Sequence, residues 1–256
     1  MIFLHVILSL APVVLLALLL QLLDSYKLVR GEAAATSLIK GAGAALVCML
    51  INMLFIRKLH IEVTLYARYI APFLEEGAKA LLVYGLIRKK QVGFLVDAAI
   101  HGVAMGAGFA VIENIYYLYS LAESSLMIWI IRGFGTAVMH ASCTALFAIL
   151  CKHLHDRNGR LGISCWGPAW FVAALIHSAF NHFILSPLLS TLVILAILPV
   201  FIILVYEYSE RSLRKWLALS MDEEMAMLEI ILSGRFTESK FGQYLLSLRD
   251  HYPPAV

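Results

Sequence analysis

Seven stretches of mostly uncharged residues dominate this chain of 256 residues. A helix of roughly 20 apolar residues crosses the hydrocarbon core of a bilayer. Backbone groups in lipid must satisfy their own hydrogen bonds, so such stretches fold as helices. The sequence therefore predicts an all-α fold, a polytopic membrane helical bundle of about seven transmembrane helices. The predicted spans are 2–23, 39–56, 69–87, 94–119, 127–151, 166–186 and 188–206.

The composition agrees with an integral membrane protein. Only 14% of the residues are charged and 61% are hydrophobic, whereas a soluble domain carries about a quarter charged residues. The net charge of +3 is small and scattered, which argues against a nucleic-acid partner. The partner that this composition implies is the lipid bilayer.

The sequence divides into an apolar region that contains the spans and a more polar region after the last span. Residues 1–206 are predicted to form the bundle, and residues 207–256 a cytosolic amphipathic tail. The first apolar run lacks a basic n-region and a cleavage site, so it is interpreted as a retained span. Basic loops mark the cytosolic side, which places the N-terminus outside and the C-terminus inside. These basic loops are 88–90, 151–160 and 210–215.

Ionisable groups inside spans are costly, so each one is a functional candidate. At about 1.5 Å of rise per residue, the predicted span ends place five polar side chains roughly 7–14 Å below the outer surface. Four separate helices would therefore contribute to one polar layer in the outer half of the membrane. The five residues are Glu76, Glu113, His140, His177 and Asn181.

Spacing along single helices refines this prediction. Glu75 and Lys79 are four residues apart and share a face, so we expect Lys79 to neutralise Glu75 and to leave Glu76 unpaired. His177 and Asn181 share a face in the same way. In the fourth span, Gly102 and Gly106 form a GxxxG pattern that lets two helices approach closely.

Carboxylates and imidazoles around a wet pocket suit hydrolysis. A buried Glu can take a proton from water, and a His/Asn pair can stabilise a developing oxyanion. The same groups could hold zinc, with Glu76, Glu113, His140 and His177 as candidate ligands. The sequence has no HExxH and no GxSxG motif.

Four motifs in this order resemble the PrsW family of intramembrane proteases. They are EEGAK (75–79), GFAVIENIYY (108–117), RGFGTAVMHA (132–141) and HSAFNH (177–182). The resemblance implies a fold shared with CAAX prenyl proteases and with the scaffold subunit of gamma-secretase. It also implies location in a bacterial cell membrane and site-1 cleavage of a membrane-anchored regulator, such as an anti-sigma factor, near the outer face.

The resemblance also implies the site residues. The paired acids are Glu75 and Glu76, the second motif supplies Glu113, and the remaining positions are His140, His177 and Asn181. We expect Glu76 to activate water, with Glu75 supporting it and His140 as its partner. Glu113 would complete a metal or proton site, and His177 with Asn181 would orient or polarise the scissile carbonyl. The family is described both as metallo-type and as glutamic-type.

Two other functions stay open at this point. The first is a non-catalytic membrane scaffold of the same fold, because one fold supports unrelated functions. The second is a proton-coupled transporter in which the buried acids relay protons.

Overall fold

The protein is a bundle of helices. The computed structural model describes residues 2–23, 29–120, 125–182 and 184–249, and these residues contain helices but no strand. The helices are α1 (Ile2–Leu23), α2 (Gly31–Leu59), α3 (Val63–Tyr69), α4 (Ala71–Arg88), α5 (Leu95–Ser120), α6 (Leu126–Ile130), α7 (Val138–Asn158), α8 (Ile163–Asn181), α9 (Pro187–Leu232) and α10 (Lys240–Arg249). A π-helical segment, Ile131–Ala137, joins α6 to α7, and a short 3₁₀ turn, Phe236–Glu238, precedes α10.

The predicted all-α membrane bundle is confirmed, and the number of spans stays approximate. Five of the described helices are long and apolar enough to cross a membrane: Phe3–Leu22, Gly31–Leu59, Leu95–Ser120, Leu126–Asn158 and Ile163–Asn181. The predicted third span corresponds to α4, which has 18 residues and carries several charged side chains. The predicted last span overlaps a shorter apolar stretch, Pro187–Ile197.

Pro187 separates the last two predicted spans, as expected, because a proline is tolerated in the first turn of a helix but not in its interior. Helix α9 begins at this residue and continues to Leu232. The chain divides into two compact units, Met1–Tyr206 and Glu207–Val256. The cytosolic location of the second unit stays a prediction.

Helix α5 forms the centre of the first unit, where it packs against α1, α2 and α7. The GxxxG prediction is confirmed. A Cβ atom on Gly102 would lie 2.6 Å from the Cα of Ala145, and one on Gly106 would lie 2.5 Å from the carbonyl oxygen of His140. Gly108 lies even closer to α2, where a Cβ atom would be 1.9 Å from the carbonyl oxygen of Leu38. Small residues therefore bring the backbones of α5 and α7 together.

A proline and a glycine explain how α1 meets the π-helical segment. Pro12 has no N–H, so the carbonyl of Leu8 loses its donor within α1. Gly133 packs directly on that carbonyl, where any Cβ atom would collide with the Leu8 oxygen. This contact places the start of the long helical stretch Leu126–Asn158 against the N-terminal half of α1.

Replacing Gly106 with alanine tests this packing. We expect Gly106→Ala to destabilise the protein by about 1–3 kcal/mol, because the added methyl group overlaps the backbone of α7. Thermal unfolding in detergent measures the effect. The matched control is Gly43→Ala on α2, where the new Cβ meets nothing within 4 Å. Equal stability of both variants would contradict the close contact.

Candidate functional site

A buried cluster of ionisable side chains lies where four helices meet. Most of it is closed to solvent: the side chains of Lys79, Glu76 and His177 are at most 3% exposed, whereas that of Glu113 is 19% exposed. The structure thus brings together five of the six predicted site residues. The cluster consists of Glu75, Glu76 and Lys79 from α4, Glu113 from α5, His140 from α7 and His177 from α8.

Glu76 is the most heavily engaged carboxylate. Its Oε1 accepts hydrogen bonds from Lys79 Nζ at 2.6 Å and from His177 Nδ1 at 2.9 Å. The prediction that Lys79 neutralises Glu75 and leaves Glu76 unpaired is therefore wrong. Residues three and four positions apart share a helix face, so the spacing alone could not decide between the two acids.

Glu75 is held by hydrogen bonds from outside α4. Asn52 of α2 donates from Nδ2 to Glu75 Oε1 at 3.0 Å, and Tyr66 of α3 donates its hydroxyl to Asn52 Oδ1 at 2.7 Å. Asn52 is not among the predicted site residues, because that prediction was based mainly on charged groups and imidazoles in the spans. The desolvation argument applies to a side-chain amide as well, and it would have singled out this residue.

His140 connects the two acidic ends of the cluster. Its Nδ1 lies 3.1 Å from Lys79 Nζ, and its Nε2 lies 3.1 Å from Glu113 Oε2. An ammonium group only donates hydrogen bonds, so Nδ1 accepts and Nε2–H donates to Glu113. The ring packs at 4.7 Å, nearly perpendicular, against the ring of His177.

The side chain of Asn181 contacts α3, whereas a position at the scissile carbonyl was expected. Its Nδ2 donates to the carbonyl of Ala67 at 2.9 Å, and Ser178 donates to the carbonyl of Arg68 at 2.7 Å. Both carbonyls belong to the last turn of α3, where helical carbonyls lack partners within the helix. These contacts attach α3 to α8 and give no support to a role of Asn181 at a scissile carbonyl.

Three donor groups in the cluster fit a metal ion. Ligand atoms of Glu75, His140 and His177 all lie within 4.8 Å of one another. Two histidines and one glutamate are a known catalytic zinc set, and ligand bonds of about 2.0–2.2 Å would require the three groups to move closer together. In the described residues Glu75 takes the place of the predicted ligands Glu76 and Glu113.

The contacts of the two acids excluded from this set also fit a metal site. Glu76 accepts from His177 Nδ1, which leaves Nε2 of that ring for a ligand bond, and Glu113 accepts from His140. Carboxylates of this kind orient metal-binding histidines. At His140 Nδ1, a metal would have to replace the contact with Lys79.

Comparisons with known proteins point to a family of intramembrane proteases. One relative is "Protease PrsW" of Clostridioides difficile (strain 630), which is 26% identical over 155 residues. The match covers 58% of this chain and 62% of the relative, so the chain spans less than two thirds of that protein's length. No solved structure matches the chain.

The sequence model of one family, described as "PrsW family intramembrane metalloprotease", matches residues 31–206. The matched region contains every member of the cluster, together with Asn52 and Asn181. It covers most of the chain and ends where the first compact unit ends. The chain therefore belongs to the PrsW family of intramembrane metalloproteases.

Proposed function

We propose that this protein hydrolyses a peptide bond of a membrane-anchored protein at the buried cluster. The observation that carries the proposal is the approach of Glu75, His140 and His177 to within 4.8 Å inside a membrane bundle. Membership of the PrsW family supports the same reaction. Burial of so many ionisable groups is costly and is typical of functional sites in membrane proteins.

Glu75 is the carboxylate that we place at the reacting atoms, either as a metal ligand or as the base that takes a proton from water. The sequence favoured Glu76, but that choice depended on Lys79 pairing with Glu75. Because Lys79 and His177 both donate to Glu76, this carboxylate instead orients His177 and balances the charge of the ammonium group.

Zinc fits the donor set of Glu75, His140 and His177. When bound, it supplies a Lewis acid that polarises a carbonyl oxygen and makes water nucleophilic at neutral pH. The chain itself contributes the fixed orientation of both imidazoles: Glu76 holds His177 and Glu113 holds His140. Such partners are important because a ligand must be positioned before it can bind.

The proposal extends to depth, orientation and substrate. We expect the site to lie in the outer half of the bilayer, with an external N-terminus and a cytosolic C-terminus. We expect the substrate to be a regulator such as an anti-sigma factor, cleaved at site 1. The polar layer supports the depth of the site and the basic loops support the orientation, whereas cleavage of such a regulator is implied by the resemblance to the PrsW family. Accessibility labelling of single cysteines placed in the loops tests the orientation.

Removing a reacting group should abolish cleavage. We expect Glu75→Gln and His177→Ala to lower kcat by about 10²–10⁴-fold, the usual contribution of a positioned acid–base group. The measurement is cleavage of membrane-anchored peptides by the purified protein in proteoliposomes. Matched controls are Glu32→Gln and His153→Ala, which alter exposed side chains of the same types.

Three outcomes of this assay would contradict the proposal. Full activity of Glu75→Gln would remove Glu75 from the reaction. A wild-type protein that binds a partner stably and cleaves no peptide would support a scaffold. Proton flux across the liposome membrane without cleavage would support a transporter.

Metal analysis separates the metallo-type from the glutamic-type reaction. We expect about one zinc ion per chain, lost in Glu75→Ala and in His177→Ala. Glu76→Gln should keep all three ligands but weaken zinc affinity by about 10–100-fold, because His177 loses its orienting carboxylate. Elemental analysis and titration with a chelator measure both quantities. Full cleavage by metal-depleted protein would favour the glutamic type.

A further inference from the structure

Arg132 extends from the π-helical segment to the partly exposed end of the cluster. Its Nη2 forms an ion pair with Glu113 Oε2 at 3.2 Å, and its Nε donates to Asn114 Oδ1 at 3.0 Å. Its side chain is only 13% exposed, whereas that of Arg30 is 83% exposed. Arg132 is therefore directed into the protein.

The oxygen of Glu113 that pairs with Arg132 is also the one that accepts from His140. Arg132 Nη2 and His140 Nε2 lie 3.2 Å and 3.1 Å from the same Oε2 atom. The last torsion of a glutamate side chain is broad and only weakly restricted. A second contact on this oxygen therefore fixes a carboxylate that His140 alone would hold loosely.

Arg132 is itself held in place on two sides. Asn114, which is fully buried, donates from Nδ2 to the carbonyl of Ser9 on α1 at 2.7 Å. The guanidinium carbon lies 3.7 Å from the centre of the Tyr117 ring. A planar guanidinium suits this arrangement because it can stack on an aromatic ring, donate from Nε to Asn114 and pair its charge with Glu113 at once, which an ammonium group cannot do.

We infer that Arg132 is a positioning residue for the reaction proposed above: it locks the carboxylate of Glu113 against His140 Nε2 and so holds that imidazole in one orientation. The inference rests on the proposed function only for its effect on catalysis. The contacts that carry it form a connected path from α1 through Asn114, Arg132 and Glu113 to His140.

A double-mutant cycle tests the inference. Arg132→Gln should lower kcat by about 10–100-fold with little change in KM, as expected for a partner that orients a catalytic histidine. Arg132→Lys keeps the positive charge but loses the planar guanidinium, so its kcat should lie between that of the wild type and that of Arg132→Gln. In a Glu113→Gln background, Arg132→Gln should cause a further loss of no more than about twofold, because the two residues act as one unit.

The exposed Arg57 on the last turn of α2 provides the matched control, and Arg57→Gln should leave kcat unchanged. Losses that multiply in the double variant would show that Arg132 acts independently of Glu113 and would overturn the inference. Wild-type kcat in both Arg132 variants would do the same. Thermal unfolding of each variant identifies a loss that reflects misfolding, and Arg132→Lys then provides the decisive comparison.

A spectroscopic measurement decides the question even if the wild-type protein cleaves nothing. In protein labelled with ¹⁵N-histidine, the Nε2 signal of His140, identified from a His140→Gln sample, should shift in Arg132→Gln and stay unchanged in Arg57→Gln. An unshifted signal would overturn the inference without reference to activity. An inactive wild type with a shifted signal would count against the proposed function alone.

Discussion

The cost of burying charge inside an apolar bundle governs the central part of this protein. Three carboxylates from α4 and α5 lie with two cations, Lys79 and Arg132, and with two imidazoles. A buried charge persists only when partners replace the water that it lost. The contacts of the cluster meet this requirement. If all three carboxylates are ionised and both imidazoles are neutral, the side chains carry one excess negative charge, which one proton or a metal ion would reduce.

The two histidines share one arrangement, which accounts for two of the three acids. Each imidazole has its own carboxylate: His177 donates to Glu76, and His140 donates to Glu113. Each of these carboxylates is also paired with a cation, Lys79 or Arg132. Such networks hold side chains in single orientations more firmly than isolated pairs do. Glu75 stands apart, because neutral side chains hold it through Asn52 and Tyr66.

The sequence predicted the features that depend on composition and on the spacing of residues along a helix. Apolar length predicted the helices, the GxxxG spacing predicted the close contact of α5 with α7, and the cost of buried polarity singled out the residues that meet in the cluster. It could not predict which acid Lys79 contacts, because neighbouring positions on one helix face are both within reach of a flexible side chain.

The contacts of Asn181 and Asn52 could not be predicted from the sequence for another reason. Asn181 supports the last turn of α3, and Asn52 reaches Glu75 from α2. Both contacts depend on where a short, weakly apolar helix and a neighbouring span dock in three dimensions. Hydrophobic periodicity gives the direction of a face but not the partner that covers it.

The π-helical segment also sets the angular register of the residues on either side of it. In an α-helix, each residue turns by about 100°, so two positions eight residues apart, such as 132 and 140, would point about 80° away from each other. The wider i→i+5 ladder turns less per residue and brings these two side chains toward a common direction. One oxygen of Glu113 can then contact both side chains. The local widening of a single helix therefore directs the arginine and the histidine toward the same carboxylate.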